Sequence, residues 1–174
     1  LVRSRGLGDV YKRQSYIASY HPFHLYMDEL PAWDGRDRLT ALALRVSCRP
    51  LWVQGFHTWM LGLASQWMDQ SVLHANSVAP ILVSREQGRR KSTFCRSLMP
   101  DVLMRYYTDN LKLTSQGQAE RLLAEMGLLN MDEFDKYAEN KMPLLKNLMQ
   151  MSALNIRKAY QQNFRQLPRV ASFI

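Results

Sequence analysis

Three short apolar runs after residue 77 constrain the fold of the chain most strongly. They are Ile81-Leu82-Val83, Gly127–Met131 and Val170–Phe173, and Tyr106-Tyr107-Thr108 has a similar character. Continuous apolar runs of this length are typical of strands buried on both faces of a parallel sheet. Segments with helical periodicity separate the runs. This alternation predicts an α/β layer in which short parallel strands are flanked by helices.

In the first part of the chain, the sequence pattern predicts only helices. Apolar periodicity and proline positions indicate helices over Pro22–Leu30, Arg38–Val46 and Leu51–Gln70. No apolar run reaches the ~18 residues that a membrane-spanning helix needs, so we expect no contact with a membrane. We divide the chain into a helical segment, 15–76, and an α/β core, 77–174. The tryptophans are interpreted as core residues rather than platforms for base stacking: Trp33, Trp52, Trp59 and Trp67.

The composition gives a weaker indication of the partner. The formal net charge is +8, which favours an anionic partner such as nucleic acid, although a solvated basic surface explains it equally well. The stretch Leu1–Gln14 resembles a translated sequencing adapter, and we expect it to be non-native; it carries three of these eight charges. Cys48 and Cys95 have no paired spacing, which fits a reducing cytoplasm. His21 and His24 lack a third metal ligand, so packing or a surface position is the favoured interpretation.

The segment after the first apolar run has the pattern of a phosphate-binding loop. The fingerprint is G-x-x-x-x-G-K-[ST] between a strand and a helix, and the sequence here reads REQGRRKS. Lys91 would reach the terminal phosphates and Ser92 would ligate magnesium. Arg85 and Arg90 replace the glycines, so Arg90 must adopt unusual backbone angles or reshape the loop. A surface loop explains the pattern about as well. The predicted cofactor-binding residues are Gln87, Gly88, Arg89, Arg90, Lys91, Ser92 and Thr93.

An acidic pair follows the run Gly127–Met131. Asp132 is predicted to hold Mg²⁺ together with Ser92, and Glu133 to polarise the attacking water. Because ligands bind at the carboxyl ends of parallel strands, the pair and the loop are expected at one edge of the sheet. Carboxylates at a helix start are the alternative interpretation. The loop and the pair together favour an ATP site.

A second basic group lies near the end of the chain. Its members are candidates for contacts with the backbone of a nucleic acid, and a solvated surface role is equally compatible with them. They are Arg157, Lys158 and Arg169, and Lys146, earlier in the chain, belongs to the same basic set.

Several ordered motifs resemble the virulence-associated protein E family over about Tyr16 to Ile174. The motifs are HPFHLYMDELPAWDGRDRL, APILVSREQGRRKSTFCRSLMP, LLNMDEFDK, LKNLMQM and PRVASFI. The resemblance implies a primase-helicase-like P-loop ATPase of phages, plasmids and genomic islands. It implies ATP and Mg²⁺ as cofactors, Lys91 and Glu133 as catalytic residues, and single-stranded or forked DNA as partner. It also implies a homo-oligomer in the full-length protein.

The resemblance leads us to expect a fragment that does not hydrolyse ATP alone. The strand over Pro168–Phe173 would lead into a polar sensor residue beyond Ile174, and the arginine that completes a neighbouring subunit's site is not identifiable. The arginines at glycine positions leave one alternative open. In it, the chain is a non-hydrolysing nucleic-acid-binding or assembly module with a degenerate loop.

Overall fold

Helices dominate the first half of the structure, and strands enter in the second half. The computed structural model describes residues 20–69, 75–113, 116–157 and 163–174. The adapter-like stretch Leu1–Gln14 lies outside these residues. The helices are α1 Pro22–Asp28, α2 Arg38–Leu44, α3 Pro50–Trp67, α4 Lys91–Ser97, α5 Gln116–Glu125 and α6 Met142–Gln150, with short 3₁₀ turns at Asp101–Tyr106, Phe134–Lys136 and Glu139–Lys141.

The starts of the first three helices follow from local sequence. Pro22 and Pro50 occupy first positions, where proline's fixed φ suits a helix and its missing N–H is not needed. His21 caps α1 by accepting a hydrogen bond from a backbone N–H, and Asp37 caps α2 in the same way. The three helices predicted for this region are confirmed, each slightly shorter than expected.

The strands form two separate sheets within the described residues. The first contains β1 Tyr107–Thr108, β2 Leu128–Leu129 and β5 Ser172–Phe173 in the order β1-β2-β5, and both pairings are parallel. Tyr107 lies opposite Leu128, which lies opposite Ser172. The predicted parallel strands at these three places are therefore confirmed.

The second sheet is an antiparallel pair that the sequence pattern did not predict. Strand β3, Ala153–Arg157, pairs along its whole length with β4, Phe164–Pro168. Most of β4 is exposed, so it lacks the apolar run that identifies a buried strand. Leu154 is fully buried and anchors β3 to the core beneath α5 and α6.

The strand predicted at Ile81-Leu82-Val83 is absent from the structure, and that prediction is wrong. These residues belong to no ladder of the two described sheets, and Ile81 and Val83 are 69% and 84% exposed. Leu82 alone packs against the core. An apolar run satisfies only the burial requirement of a strand; the strand also needs a neighbour for its backbone hydrogen bonds.

Helix α3 joins the helical segment to the parallel sheet. Trp59 donates its indole N–H to the carbonyl of Phe173 at 3.1 Å, and Trp67 donates to the carbonyl of Gly127 at 3.2 Å. Both indoles are buried, so segment and sheet share one core. Trp33 is 80% exposed, which contradicts its interpretation as a core residue.

In the part of the chain that the structure describes, no helix combines the length and the apolar character required to cross a bilayer. Even α3, the longest at 18 residues, carries buried Gln66 on the face that packs against the protein core.

Candidate functional site

Side chains within the loop before α4 bond to one another and to the loop backbone, and so hold its shape. Ser84 Oγ donates to the carbonyl of Glu86 at 2.6 Å, and the Glu86 carboxylate pairs with Arg89 at 2.5 Å. Gly88 has a φ of 78°, the left-handed conformation that glycine adopts without steric cost. Lys91 Nζ donates to Ser84 Oγ at 3.3 Å. The lysine therefore lies across the loop, where an anion in the turn would compete with Ser84 for it.

Arg90 stands at one glycine position of the fingerprint and adopts the backbone of a glycine. Its φ is 56° and its ψ is 31°, in the left-handed region. For a residue with a Cβ this conformation costs about 1–2 kcal/mol. Of the two alternatives for Arg90, unusual backbone angles or a reshaped loop, the structure shows the unusual backbone angles. Arg90 is also the N-cap of α4, where its side chain makes no capping hydrogen bond.

The acidic pair is positioned by the fully buried strand β2. Beyond β2, the backbone N–H of Asn130 donates to the carbonyl of Thr108, and that of Met131 donates to Ile174, both at 2.8 Å. These bonds extend the parallel pairing on both sides up to the pair itself. Asp132 and Glu133 then emerge at the exposed end of the strand.

Glu133 is the second residue of the site, after Arg90, with a left-handed backbone conformation. Its φ is 53° and its ψ is 48°, and its N–H donates to Asp132 Oδ1 at 3.0 Å. Non-glycine residues held in this region are concentrated at binding and catalytic sites, where the surrounding structure enforces them. The turn directs the chain away from β2 directly after Asp132.

A hydrogen bond between two side chains joins the loop before α4 to the acidic pair after β2. Ser92 Oγ donates to Asp132 Oδ2 at 2.9 Å, across 40 residues of chain. The structure thus brings together the two residues predicted to share a magnesium ion, at the carboxyl end of β2. The other predicted loop residues are exposed around this contact: Gln87, Gly88, Arg89, Arg90 and Thr93.

The donor atoms at this contact suit magnesium chemically. A serine hydroxyl and a carboxylate are hard oxygen ligands, and Mg²⁺ is held in proteins by one or two carboxylates with waters and phosphate oxygens. Ser92 and Asp132 would hold the ion, and both side chains belong to exposed residues. The exposure leaves room for the waters and phosphates that complete its coordination.

The buried side of the site includes residues that the motifs did not indicate. Cys95 lies one turn after Ser92 on α4; burial, and then the nearby charge of Asp132, raises the pKa of its thiol to about 11. Two residues before Asp132, the side chain of Asn130 is buried and lies beside the hydroxyl of Tyr107. Ser84 was also missed, because a lone serine seven residues before a lysine has no sequence signature.

The predicted nucleic-acid contact at Arg169 is wrong. This side chain is 1% exposed, and burial lowers its pKa to about 10. Its guanidinium donates to the carbonyls of Leu148, Met149 and Asn76 and to Gln66 Oε1, at 2.6–3.2 Å. Arg169 therefore ties α6 and α3 to the chain entering β5. Lys158 and the side chain of Arg157 lie outside the described residues.

These features define a class of protein. It is a mixed α/β protein in which a serine at a helix start, next to a lysine, contacts the aspartate of an acidic pair at the end of a buried parallel strand. The sequence model of the virulence-associated protein E-like domain matches residues 27–174. The chain belongs to this family, as its ordered motifs predicted, and the family indicates a protein associated with phages and mobile elements. None of the curated proteins compared with the chain matches it.

Proposed function

We propose that the site at Lys91, Ser92, Asp132 and Glu133 binds the phosphates of ATP together with Mg²⁺. The observation that carries the proposal is the 2.9 Å hydrogen bond between Ser92 Oγ and Asp132 Oδ2. It joins a helix start to a strand end, which is where open α/β sheets bind their ligands. A surface loop that matched the fingerprint by chance would not be expected to contact the acidic pair.

Each residue has a distinct task in this proposal. Ser92 turns its proton away from Asp132 and offers a lone pair, so that hydroxyl and carboxylate become two magnesium ligands. Lys91 leaves Ser84, 3.3 Å away, for the terminal phosphate oxygens. Glu133 orients the attacking water and accepts its proton. The bound ion supplies neutralisation of the charge that develops on the phosphate oxygens.

The proposal extends to a P-loop ATPase of helicase type that serves replication of a mobile element. Support comes from the family and from the parallel strand order β1-β2-β5. The net charge of +8 falls to +5 without the +3 of Leu1–Gln14, and the remaining positive charge also suits a nucleic-acid partner. In the full-length protein we propose single-stranded or forked DNA as substrate and a homo-oligomer as the active form. For the isolated chain we expect nucleotide binding without robust hydrolysis.

Nucleotide binding is tested by titrating the chain with a fluorescent ATP analogue in the presence of Mg²⁺. Lys91→Ala removes a charge-assisted bond, and we expect affinity to fall about 10-fold or more. Lys146→Ala removes an exposed lysine from α6 and serves as the matched control, with unchanged affinity. Asp132→Asn should reduce the Mg²⁺ dependence of binding. Equal affinities for Lys91→Ala and Lys146→Ala would contradict the proposal.

A second function is favoured by the arginines of the loop. Arg85, Arg89 and Arg90 are exposed, and two of them replace the glycines that let a backbone approach phosphate. In this alternative the protein binds nucleic acid or assembles without turnover. The discriminating measurement is DNA-stimulated ATP hydrolysis by the full-length protein and its Glu133→Gln variant. Turnover that depends on Glu133 excludes the alternative, whereas tight ATP binding without turnover favours it.

A further inference from the structure

A second cluster of ligand-type side chains lies far from the Ser92–Asp132 contact in sequence. It contains His21, His24 and Asp69, which offer one ligand atom each within 4.8 Å of one another. The two histidines stand at the N-cap and in the first turn of α1, and Asp69 follows the C-cap residue of α3, Met68. The histidines alone lack a third ligand in sequence. The packing of α1 against the end of α3 supplies it.

The distances suit a transition-metal ion. His24 Nε2 lies 3.4 Å from Asp69 Oδ2, and the rings of His21 and His24 lie 3.9 Å apart between centroids. A tetrahedral zinc ion with bonds of about 2.0–2.1 Å places neighbouring ligand atoms about 3.3 Å apart. Few side-chain rotations are therefore needed to close the site.

One ligand-type nitrogen of the cluster faces Asp69 without a hydrogen bond to it. His24 Nε2 is shielded from solvent, and it makes no hydrogen bond with the described residues although it faces Asp69. A shielded polar nitrogen of this kind usually has an ion, a water or a donor beside it. Asp69 itself is held in place by a left-handed backbone, with a φ of 53°.

We propose that His21, His24 and Asp69 bind a divalent transition-metal ion of the zinc class. Two neutral imidazoles and one carboxylate form a borderline N/O donor set, which zinc accepts in four-coordinate sites with water in the remaining position. His21 and His24 lie outside the residues that match the family model, 27–174, whereas Asp69 lies within them. The site shares no residue with the proposed nucleotide site.

Metal binding has one local cost. The backbone N–H of His24 donates to His21 Nδ1 at 3.3 Å and caps α1. This bond is lost whichever nitrogen of His21 binds, because Nδ1 then holds either the metal or the imidazole proton. The metal therefore replaces the cap in fixing the start of the helix.

The proposed role of the ion is to attach α1 to the core. Phe23, between the two histidines in sequence, is 2% exposed, and its ring centroid lies 4.9 Å from that of Trp67 with the ring planes tilted by 38°. It also covers Gly127, where an added Cβ would lie 2.5 Å from the phenyl ring. Gly127 directly precedes β2, so the ion would stabilise packing over the strand that positions Asp132.

The test uses the 174-residue chain with Cys48→Ser, which removes an exposed thiol, a type of side chain that zinc also accepts as a ligand. Zn²⁺ is titrated in competition with a chelating dye, and thermal unfolding is followed with and without Zn²⁺. We expect one equivalent to bind and the unfolding midpoint to rise by about 5 °C at saturation. Co²⁺ should give the visible absorption of a tetrahedral site.

Two variants and a matched control decide the assignment. Asp69→Asn keeps the size of the side chain and suits the left-handed backbone, and we expect at least tenfold weaker Zn²⁺ binding and no rise in midpoint. His24→Ala should do the same, while His57→Ala on α3 should leave both readouts unchanged. Equal Zn²⁺ affinity in Asp69→Asn and His57→Ala would overturn the proposal, and so would absence of binding by the parent chain. Because Asp69→Asn is isosteric, it remains decisive if His24→Ala does not fold.

Discussion

The candidate site has two halves, the loop before α4 (the loop half) and the acidic pair after β2 (the acidic half). An apolar run precedes each half, and one run is buried while the other is exposed. Leu128 and Leu129, before the acidic pair, are completely buried, whereas Ile81 and Val83, before the loop, are mostly exposed. The difference lies in the neighbours. Strand β2 has β1 on one side and β5 on the other, while the run at 81–83 has no ladder partner in the described sheets. The acidic half is thus fixed by backbone pairing, and the loop half depends on its own side chains.

The halves share one property despite this difference. Arg90 and Glu133 each adopt a left-handed backbone at the point where the chain turns at the site. Strain of this kind costs about 1–3 kcal/mol for each residue and is retained where the surroundings enforce it. Both halves therefore carry a conformational cost next to the atoms proposed to bind phosphate and magnesium.

The largest effect is expected from removing core packing on the acidic side. Leu129→Ala leaves a cavity in a strand with no exposed surface, and the free energy of unfolding should fall by about 2–5 kcal/mol. The matched change on the loop side, Val83→Ala, should alter it by less than about 0.5 kcal/mol. Urea denaturation followed by circular dichroism measures both. Similar losses for the two variants would mean that the run at 81–83 is buried after all.

A smaller loss is expected from Arg169, which secures the chain entering β5. Arg169→Met removes four hydrogen bonds from a buried guanidinium, three of them to carbonyl groups. We expect a decrease of about 2–3 kcal/mol in the free energy of unfolding. Arg165→Met, at an exposed position of β4, is the control and should be nearly neutral. An effect on DNA binding without any loss of stability would restore Arg169 as a nucleic-acid contact.

Sequence reasoning succeeded where local pattern and tertiary context agree. The strand before Asp132 combined an apolar run with a neighbouring strand on each side, and its position was predicted. The run Ile81-Leu82-Val83 had the same pattern but lacks the partner, which periodicity cannot reveal. The buried role of Arg169 and the proximity of Asp69 to His24 depend on packing between distant segments, so neither has a sequence signature.

A gain in stability is expected from relieving the backbone of the loop. Arg90→Gly places glycine where the φ is 56°, and it should raise the free energy of unfolding by about 1 kcal/mol. Arg89→Gly also removes a charge, but Arg89 is not among the positive-φ residues and it pairs with Glu86, so this control should not gain stability. Thermal and urea unfolding compare the two. If Arg90→Gly were no more stable than Arg89→Gly, the loop would lack the proposed strain.

The smallest effect is that of the Asp132 charge on the thiol of Cys95, a residue of α4. Burial is the main cause of its pKa of about 11, and the charge of Asp132 adds to it by opposing the thiolate. At pH 8.5 its alkylation by iodoacetamide should be about 100-fold slower than that of a free thiol with a pKa near 8.5, and the rate should rise towards pH 11.

Asp132→Asn should then speed alkylation of Cys95 about twofold, because the charge is the lesser of the two causes. Asp135→Asn removes an exposed carboxylate three residues further on and should leave the rate unchanged. Exposed Cys48 reacts separately and is resolved by mass spectrometry of the peptides. Equal rates in both aspartate variants would show that the acidic pair does not act on α4. A selective effect of Asp132 would establish in solution that the two halves of the site are adjacent.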